Sequence, residues 1–178
     1  DMVSKAIRWF GRIDILINCA NSGVSYKNYD DLNWDDYSNE IKINVKSFFD
    51  LMKFTVPHMR KHNYGKIIGI TTQATELLTS QFSHYITAKS SLEGFLKSSA
   101  LELAGSGIRV NLVSPGMTDT DFVSNIPEKA RLVSAARTPL RKIAEPEDVA
   151  NAIVYLASGK SDYLTGETIR VNGGQLMR

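Results

Sequence analysis

Short apolar runs alternate along the chain with longer stretches in which apolar positions recur at helical spacing. Met2 to Phe10 reads as a short helix ended by Gly11. Ile13-Asp14-Ile15-Leu16-Ile17-Asn18-Cys19-Ala20 reads as a buried strand. Asn33 can cap a helix from Trp34 to about His62, with Pro57 inside it and Gly65 as its end signal. Lys66 to Thr72 predicts a second strand, and Phe82 to Leu103 a helix closed by Gly105-Ser106-Gly107. Ile108 to Val113 predicts a third strand, stopped by Ser114-Pro115-Gly116. Met117 to Arg141 is irregular with helical pieces. Pro146 suits the first position of a helix to about Ala157, and Glu167 to Val171 is a fourth strand ended by Asn172-Gly173-Gly174.

This order predicts an α/β fold: a Rossmann-like, doubly wound parallel sheet of about four strands with helices on both faces. Near-continuous apolar strands agree, because such a sheet is covered on both sides. The whole span, 1–178, reads as a single unit without repeats or linkers. Chemistry in such sheets gathers at the carboxyl ends of the strands. Asn18 to Asn21, Thr72, Pro115 to Thr120 and the start of the helix bearing Tyr85 all fall there.

Composition changes this picture little. Of 178 residues, 43% are apolar and 22% charged, as in ordinary globular proteins. A net charge of +2 gives no argument for nucleic acid or an anionic membrane. No apolar run reaches spanning length, no signal-peptide pattern opens the chain, and the expected location is the cytoplasm. The single cysteine, Cys19, fits a reducing compartment, and three scattered histidines suggest no metal site. His84 reads as a loop residue. Trp9, Trp34 and the Phe48-Phe49 pair read as core or helix packing.

Tyr85 and Lys89 stand four residues apart, one turn apart on one face if the run is helical. A phenol has an ordinary pKa of about 10. A nearby ammonium favours the phenolate, so the pair can exchange a proton with a substrate oxygen near neutral pH. The bland reading is a surface Tyr and Lys on an amphipathic helix, and the spacing alone does not decide between them.

Several ordered motifs decide it. Asp14 to Asn21 resembles the D-x-L-V-N-N-A-G segment of short-chain dehydrogenases/reductases; Ile43-Asn44-Val45 resembles their N-V segment. Gly65 to Thr72 resembles G-x-I-V-N-I-S-S, and Pro115 to Thr120 resembles P-G-x-x-x-T. Pro146 to Ala150 and Thr165 to Gly174 resemble the closing segments. Among these enzymes the chain is most similar to the 3-oxoacyl-carrier-protein reductase and sugar-alcohol dehydrogenase branch. Three departures stand out. No Gly-rich turn precedes the first strand, which resembles the family's fourth. The resemblance thus implies a partial domain without the region that selects NAD or NADP, and weak cofactor binding by these residues alone. Thr72 stands where a serine is expected. Cys19 and Asn21 stand for Asn and Gly, and Asn is the best non-glycine choice for a left-handed turn.

The resemblance implies hydride transfer between a nicotinamide, NADP or NAD, and a carbonyl or alcohol substrate, which could be acyl-carrier-linked. Tyr85 would move the proton, Thr72 hold the oxygen, Lys89 tune the phenol and hold the ribose, and Asn44 order a water. Asn18, Ala20 and Asn21 would line the adenosine half of the cofactor, and Pro115, Gly116, Thr118 and Thr120 the nicotinamide pocket. Each has a plain alternative: a helix-interior Asn bonded to a carbonyl for Asn44, a strand-end threonine for Thr72, a strand exit for 18–21 and a simple turn for Pro115-Gly116. Leu77, Leu78, Phe82, Met117 and Phe122 suggest apolar pocket walls. The 34–62 and 82–103 helices resemble the pair through which family members form homo-oligomers. A non-catalytic scaffold or half of a split enzyme is the alternative, because the first strand would be an exposed edge. A nucleotide-sugar epimerase or dehydratase shares Tyr-x-x-x-Lys but continues into a larger substrate domain.

Overall fold

A computed structural model describes residues 2–23, 25–123 and 126–177. Four strands, β1 (Ile15–Asn18), β2 (Gly65–Ile70), β3 (Ile108–Pro115) and β4 (Thr168–Val171), form one parallel sheet in the order β1-β2-β3-β4. The register pairs Ile17 with Ile68, Gly69 with Leu112 and Val113 with Ile169. The helices are α1 (Met2–Phe10), α2 (Trp34–Ile41), α3 (Ser47–Lys61), α4 (Ser83–Leu103), α5 (Glu128–Arg137) and α6 (Pro146–Ala157).

Each face of the sheet carries its own core. On one, Ile67, Val110 and Leu112 meet Phe48, Met52, Leu92 and Leu96 from α3 and α4. On the other, Ile68 and Val113 meet Leu156 of α6. Fully burying one such side chain stabilises the fold by about 2 kcal/mol. Gly69 sets the approach of α4 to β2: a Cβ there would stand 2.2 Å from Leu96 Cδ1 and 3.0 Å from Phe48 Cε1.

Local chemistry explains the element ends. Asn33 Oδ1 accepts from the Asp35 and Asp36 amides, at 2.9 and 3.2 Å, and the Asp36 carboxylate accepts from the Asn33 amide at 3.0 Å. Pro146 begins α6, and the Asp148 carboxylate takes the Glu145 amide at 2.9 Å.

Three expectations need correction here. The 34–62 stretch is not one α-helix: residues Lys42–Lys46 between α2 and α3 form a π-helical turn that carries Asn44. Gly65 does not end the helix; His62 does, followed by Asn63 at φ 49, and Gly65 is the first residue of β2. Trp9 and Trp34 are mostly exposed rather than core, whereas Phe48 is buried and Phe49, half exposed, leans on Phe95 of α4 at 6.1 Å, as helix packing requires.

Candidate active site

Parallel strands bring their carboxyl ends to one rim of the sheet, and β1, β2 and β3 are neighbours there. Asn18 ends β1, Thr72 follows β2, and Pro115 ends β3. The first turns of α4 start beside this rim. They carry Tyr85 and Lys89, both buried.

Thr72 and Tyr85 meet. The polar side chains of Asn21 and Thr72 lie near enough to the Tyr85 phenol to favour its anion. Burial is the stronger influence and pushes the phenol up to about 12. The expected depression by Lys89 is therefore not what the structure shows. Lys89 Nζ lies over the ring, 5.7 Å from its centroid, not at the hydroxyl. It donates to the Ile70 carbonyl at 3.0 Å. Its own burial lowers the ammonium to about 8, against the charges of Glu40 and Cys19, which favour it.

Asn44 is buried in the π turn. Its Nδ2 donates to the Glu40 carbonyl at 3.1 Å and to Glu40 Oε2 at 2.9 Å. The plain alternative, an Asn bonded to a helical carbonyl, thus holds for one of its donors. Its Oδ1 is buried and has no partner among the described residues, so an acceptor remains available to a proton donor.

The β1 exit departs from expectation in one respect. Asn18 Oδ1 accepts from the Ala20 amide at 3.0 Å, an Asx turn that aims the chain across the rim. Asn21 does not adopt a left-handed backbone. Its side chain turns to Tyr85 instead, a contact that glycine could not make. Cys19 is exposed at the same exit, and its thiol is raised by desolvation.

The Pro115-Gly116 turn is pinned to β4, since the Gly116 amide donates to the Val171 carbonyl at 2.9 Å. A Cβ on Gly116 would lie 3.1 Å from Asn172 Cα, so the turn has little room for a side chain. Thr118 Oγ1 donates to the Gly116 carbonyl at 3.2 Å and Thr118 bridges to Ala144, whereas Thr120 is exposed. A cavity of about 430 Å³ lies behind this turn, lined by Gly116, Met117, Leu140, Arg170 and Asn172 among others. It does not include Tyr85.

Aromatic rings wall the phenol. Phe82 stacks on Tyr85 at 4.5 Å, Tyr26 stacks on Phe82 at 4.9 Å, and Phe122 tilts against Tyr85 at 6.0 Å. Phe82 and Phe122 thus form the apolar wall expected near Tyr85, while Leu78 is exposed. His84 is no loop residue: it sits buried in α4, edge-on to Tyr37 and Phe82. Tyr26, His84 and Glu40 escaped the motif reading. Only Glu40 carried a signal, a carboxylate one turn before Asn44 on the same helix face.

Residues 1–175 match the family described as Enoyl-(Acyl carrier protein) reductase. The chain belongs to the short-chain dehydrogenase/reductase family. It is 35% identical to a 3-oxoacyl-(acyl-carrier-protein) reductase of Thermotoga maritima over 175 residues, covering 98% of this chain and 70% of that protein. The protein of the same name from Escherichia coli K12 is 37% identical over 172 residues, with 94% and 68% covered. That of Vibrio cholerae is 34% identical over 179 residues, with 99% and 72% covered. By lineage this short-chain dehydrogenase/reductase is an NAD(P)-dependent oxidoreductase. No helix among the described residues is long and apolar enough to cross a membrane.

The site residues fit a nicotinamide nucleotide on one count: Lys89 spends one of its three N–H donors on Ile70, which leaves two for a sugar diol.

Proposed function

We propose that this chain carries the carbonyl-handling site of an NAD(P)-dependent reductase acting on 3-oxoacyl thioesters or the corresponding alcohols. One observation carries the reading: Tyr85 is buried at the sheet rim, with Lys89 Nζ over its ring and the Thr72 side chain near enough to its hydroxyl to favour the anion. The nucleotide, when bound, supplies the hydride. The chain's own residues handle the oxygen. Negative charge grows on the carbonyl oxygen as its carbon is reduced, and that oxygen needs a donor and a proton. Tyr85 is a protonated donor at neutral pH, as its raised pKa requires. Thr72 Oγ1 fixes the direction of approach. Lys89 holds the sugar next to the phenol, and Asn44 Oδ1 takes a water or hydroxyl that returns the proton to solvent.

Asn18, Ala20 and Asn21 line the adenosine side, and Pro115, Gly116, Thr118 and Thr120 the nicotinamide side. Phe82 and Phe122 offer an apolar wall to an acyl chain. The relatives' names point to acyl-carrier-linked substrates, and the same reading places the protein in the cytoplasm as a homo-oligomer through 34–62 and 82–103. These 178 residues contain no Gly-x-Gly-x-x-Gly turn to cradle a pyrophosphate, so by themselves they bind NADH and NADPH weakly. Calorimetry showing micromolar affinity would count against that last point.

The test is nucleotide-dependent reduction of a short 3-oxoacyl thioester, at nucleotide concentrations that give measurable turnover, by the intact protein and by its Tyr85→Phe variant. Loss of at least about 100-fold in turnover with nucleotide affinity kept supports the reading. Equal turnover in the two proteins refutes the role of Tyr85.

A further inference from the structure

Glu40 has no part in the assignments above. It sits in the last turn of α2, one turn before Asn44, and is only 6% exposed. A carboxylate taken out of water to this degree is costly unless partnered. Its partners are two neutral donors. Ser22 Oγ donates to Oε1 at 2.5 Å, and Asn44 Nδ2 donates to Oε2 at 2.9 Å. A neutral amide could serve the same two partners, its oxygen accepting from Asn44 and its NH2 donating to a turned Ser22 hydroxyl. No ion pair involves Glu40 among the described residues, so its charge is uncancelled at contact distance. The charge acts inward instead, on the ammonium of Lys89 and the phenol of Tyr85.

We infer that Glu40 is a positioning residue of this site: its buried carboxylate, tethered by Ser22 and Asn44, is the fixed negative charge that keeps Lys89 an ammonium and turns the Asn44 amide so that Oδ1 is left open. The inference rests on the reductase reading for its consequence in catalysis, not for its geometry. Lys89 meets the Ile70 carbonyl of β2 and the Tyr85 ring on its own helix. α2, which carries Glu40, packs on α4, and the charges that favour the ammonium are those of Glu40 and of Cys19 at the β1 exit. Glu40 is the carboxylate of the two. Burial already brings the ammonium down to about 8, close to the working pH. Without Glu40, much of the population would carry a neutral amine at neutral pH, and a neutral amine holds a sugar diol less firmly.

The Lys89 midpoint can be read without any turnover, from the 13Cε shift of 13C-lysine-labelled chain titrated by NMR, with the resonance assigned by its loss in Lys89→Arg. Glu40→Gln keeps the size and the acceptor oxygen but not the charge. The expected result is a midpoint lowered by about one unit, a tenfold weaker hold on the proton. An unchanged midpoint in a folded Glu40→Gln overturns the inference. Should that variant not fold, Glu40→Asp and Glu40→Asn repeat the comparison at one size. A higher Lys89 midpoint in the Asp form supports the assignment and equal midpoints refute it. Where turnover is measurable, Glu40→Gln should move the Lys89-dependent limb of the pH profile by the same amount. A midpoint that moves in a protein without reductase turnover supports the charge assignment and removes only the reductase reading.

Discussion

Ile17 and Ile68 are paired in register on adjacent parallel strands, share one face of the sheet and have the same side chain, yet one is 42% exposed and the other 1%. The difference lies in what covers them. Among the described residues α6 packs mainly on β2, β3 and β4. The opposite face has no such step: Leu16 of β1 packs into the same core as Ile67 and Val110, next to Met52 and Met59 of α3. An apolar strand pattern states a preference for burial. Coverage is decided by which helix lands where, and the active-site rim depends on the covered part, where β2 and β3 hold α4 in place.

The largest effect should come from crowding that covered part. Gly69→Val would drive side-chain atoms into Leu96 and Phe48, both buried against β2. We expect a loss of about 4 kcal/mol in denaturant unfolding, or no folded protein. A wild-type midpoint would show that α4 can shift and that the packing is looser than the distances state. Next in size, Ile68→Ala should cost about 3 kcal/mol by the same measurement, against less than about 1 kcal/mol for Ile17→Ala. Equal losses would abolish the contrast between the two strands.

The site gives a third test, through pH. Lys89 titrates near 10.5 when unfolded and about 8 when folded. Between these values the unfolded chain binds more protons, so stability rises with pH across the window and the penalty is fully present below about 8. Tyr85 has the opposite sign: its phenol is raised from 10 to about 12, and stability falls with pH between those values. In the range from 8 to 10 the Lys89 rise is opposed only above about 9, by the Cys19 thiol, which burial raises from 9.0. Lys89→Met should flatten a rise of about 2 kcal/mol there, seen as urea midpoints measured against pH. An unaltered slope in the variant would place the buried cation elsewhere.

What the sequence made legible follows the same division. Asn33 and Pro146 are local signals whose chemistry involves residues within one turn, and both helices start where those signals stand. Tyr85 and Lys89 are placed together by helical spacing; strand order puts Thr72 only at a strand end, and its place beside Tyr85 comes from the family resemblance. The direction of the Tyr85 shift was not legible, because a neighbouring cation can be counted from spacing whereas burial is set by Phe82, Phe122 and the sheet rim. His84 failed for the same reason: its neighbours Tyr37 and Phe82 enclose it only in the fold. The π turn at 42–46 has no breaker residue to announce it. Asn21 was assigned to a backbone role that its motif position implies, while its side chain took a contact on α4.

The smallest expected effect is also the sharpest probe of coverage. Ile17→Lys places a charge on the less covered face of β1. At this site the lysine stem lies along the strand and its head stays in water, so the cost should be under about 0.5 kcal/mol. The same substitution at Ile68 would bury an unpaired ammonium under Leu156 and prevent folding. If Ile17→Lys instead costs as much as Ile68→Ala, something covers β1 in solution. Light scattering at the concentrations used for unfolding then separates the two sources: a mass above one chain that falls in the variant identifies a second copy on this face, and a single-chain mass throughout means that the chain covers β1 itself.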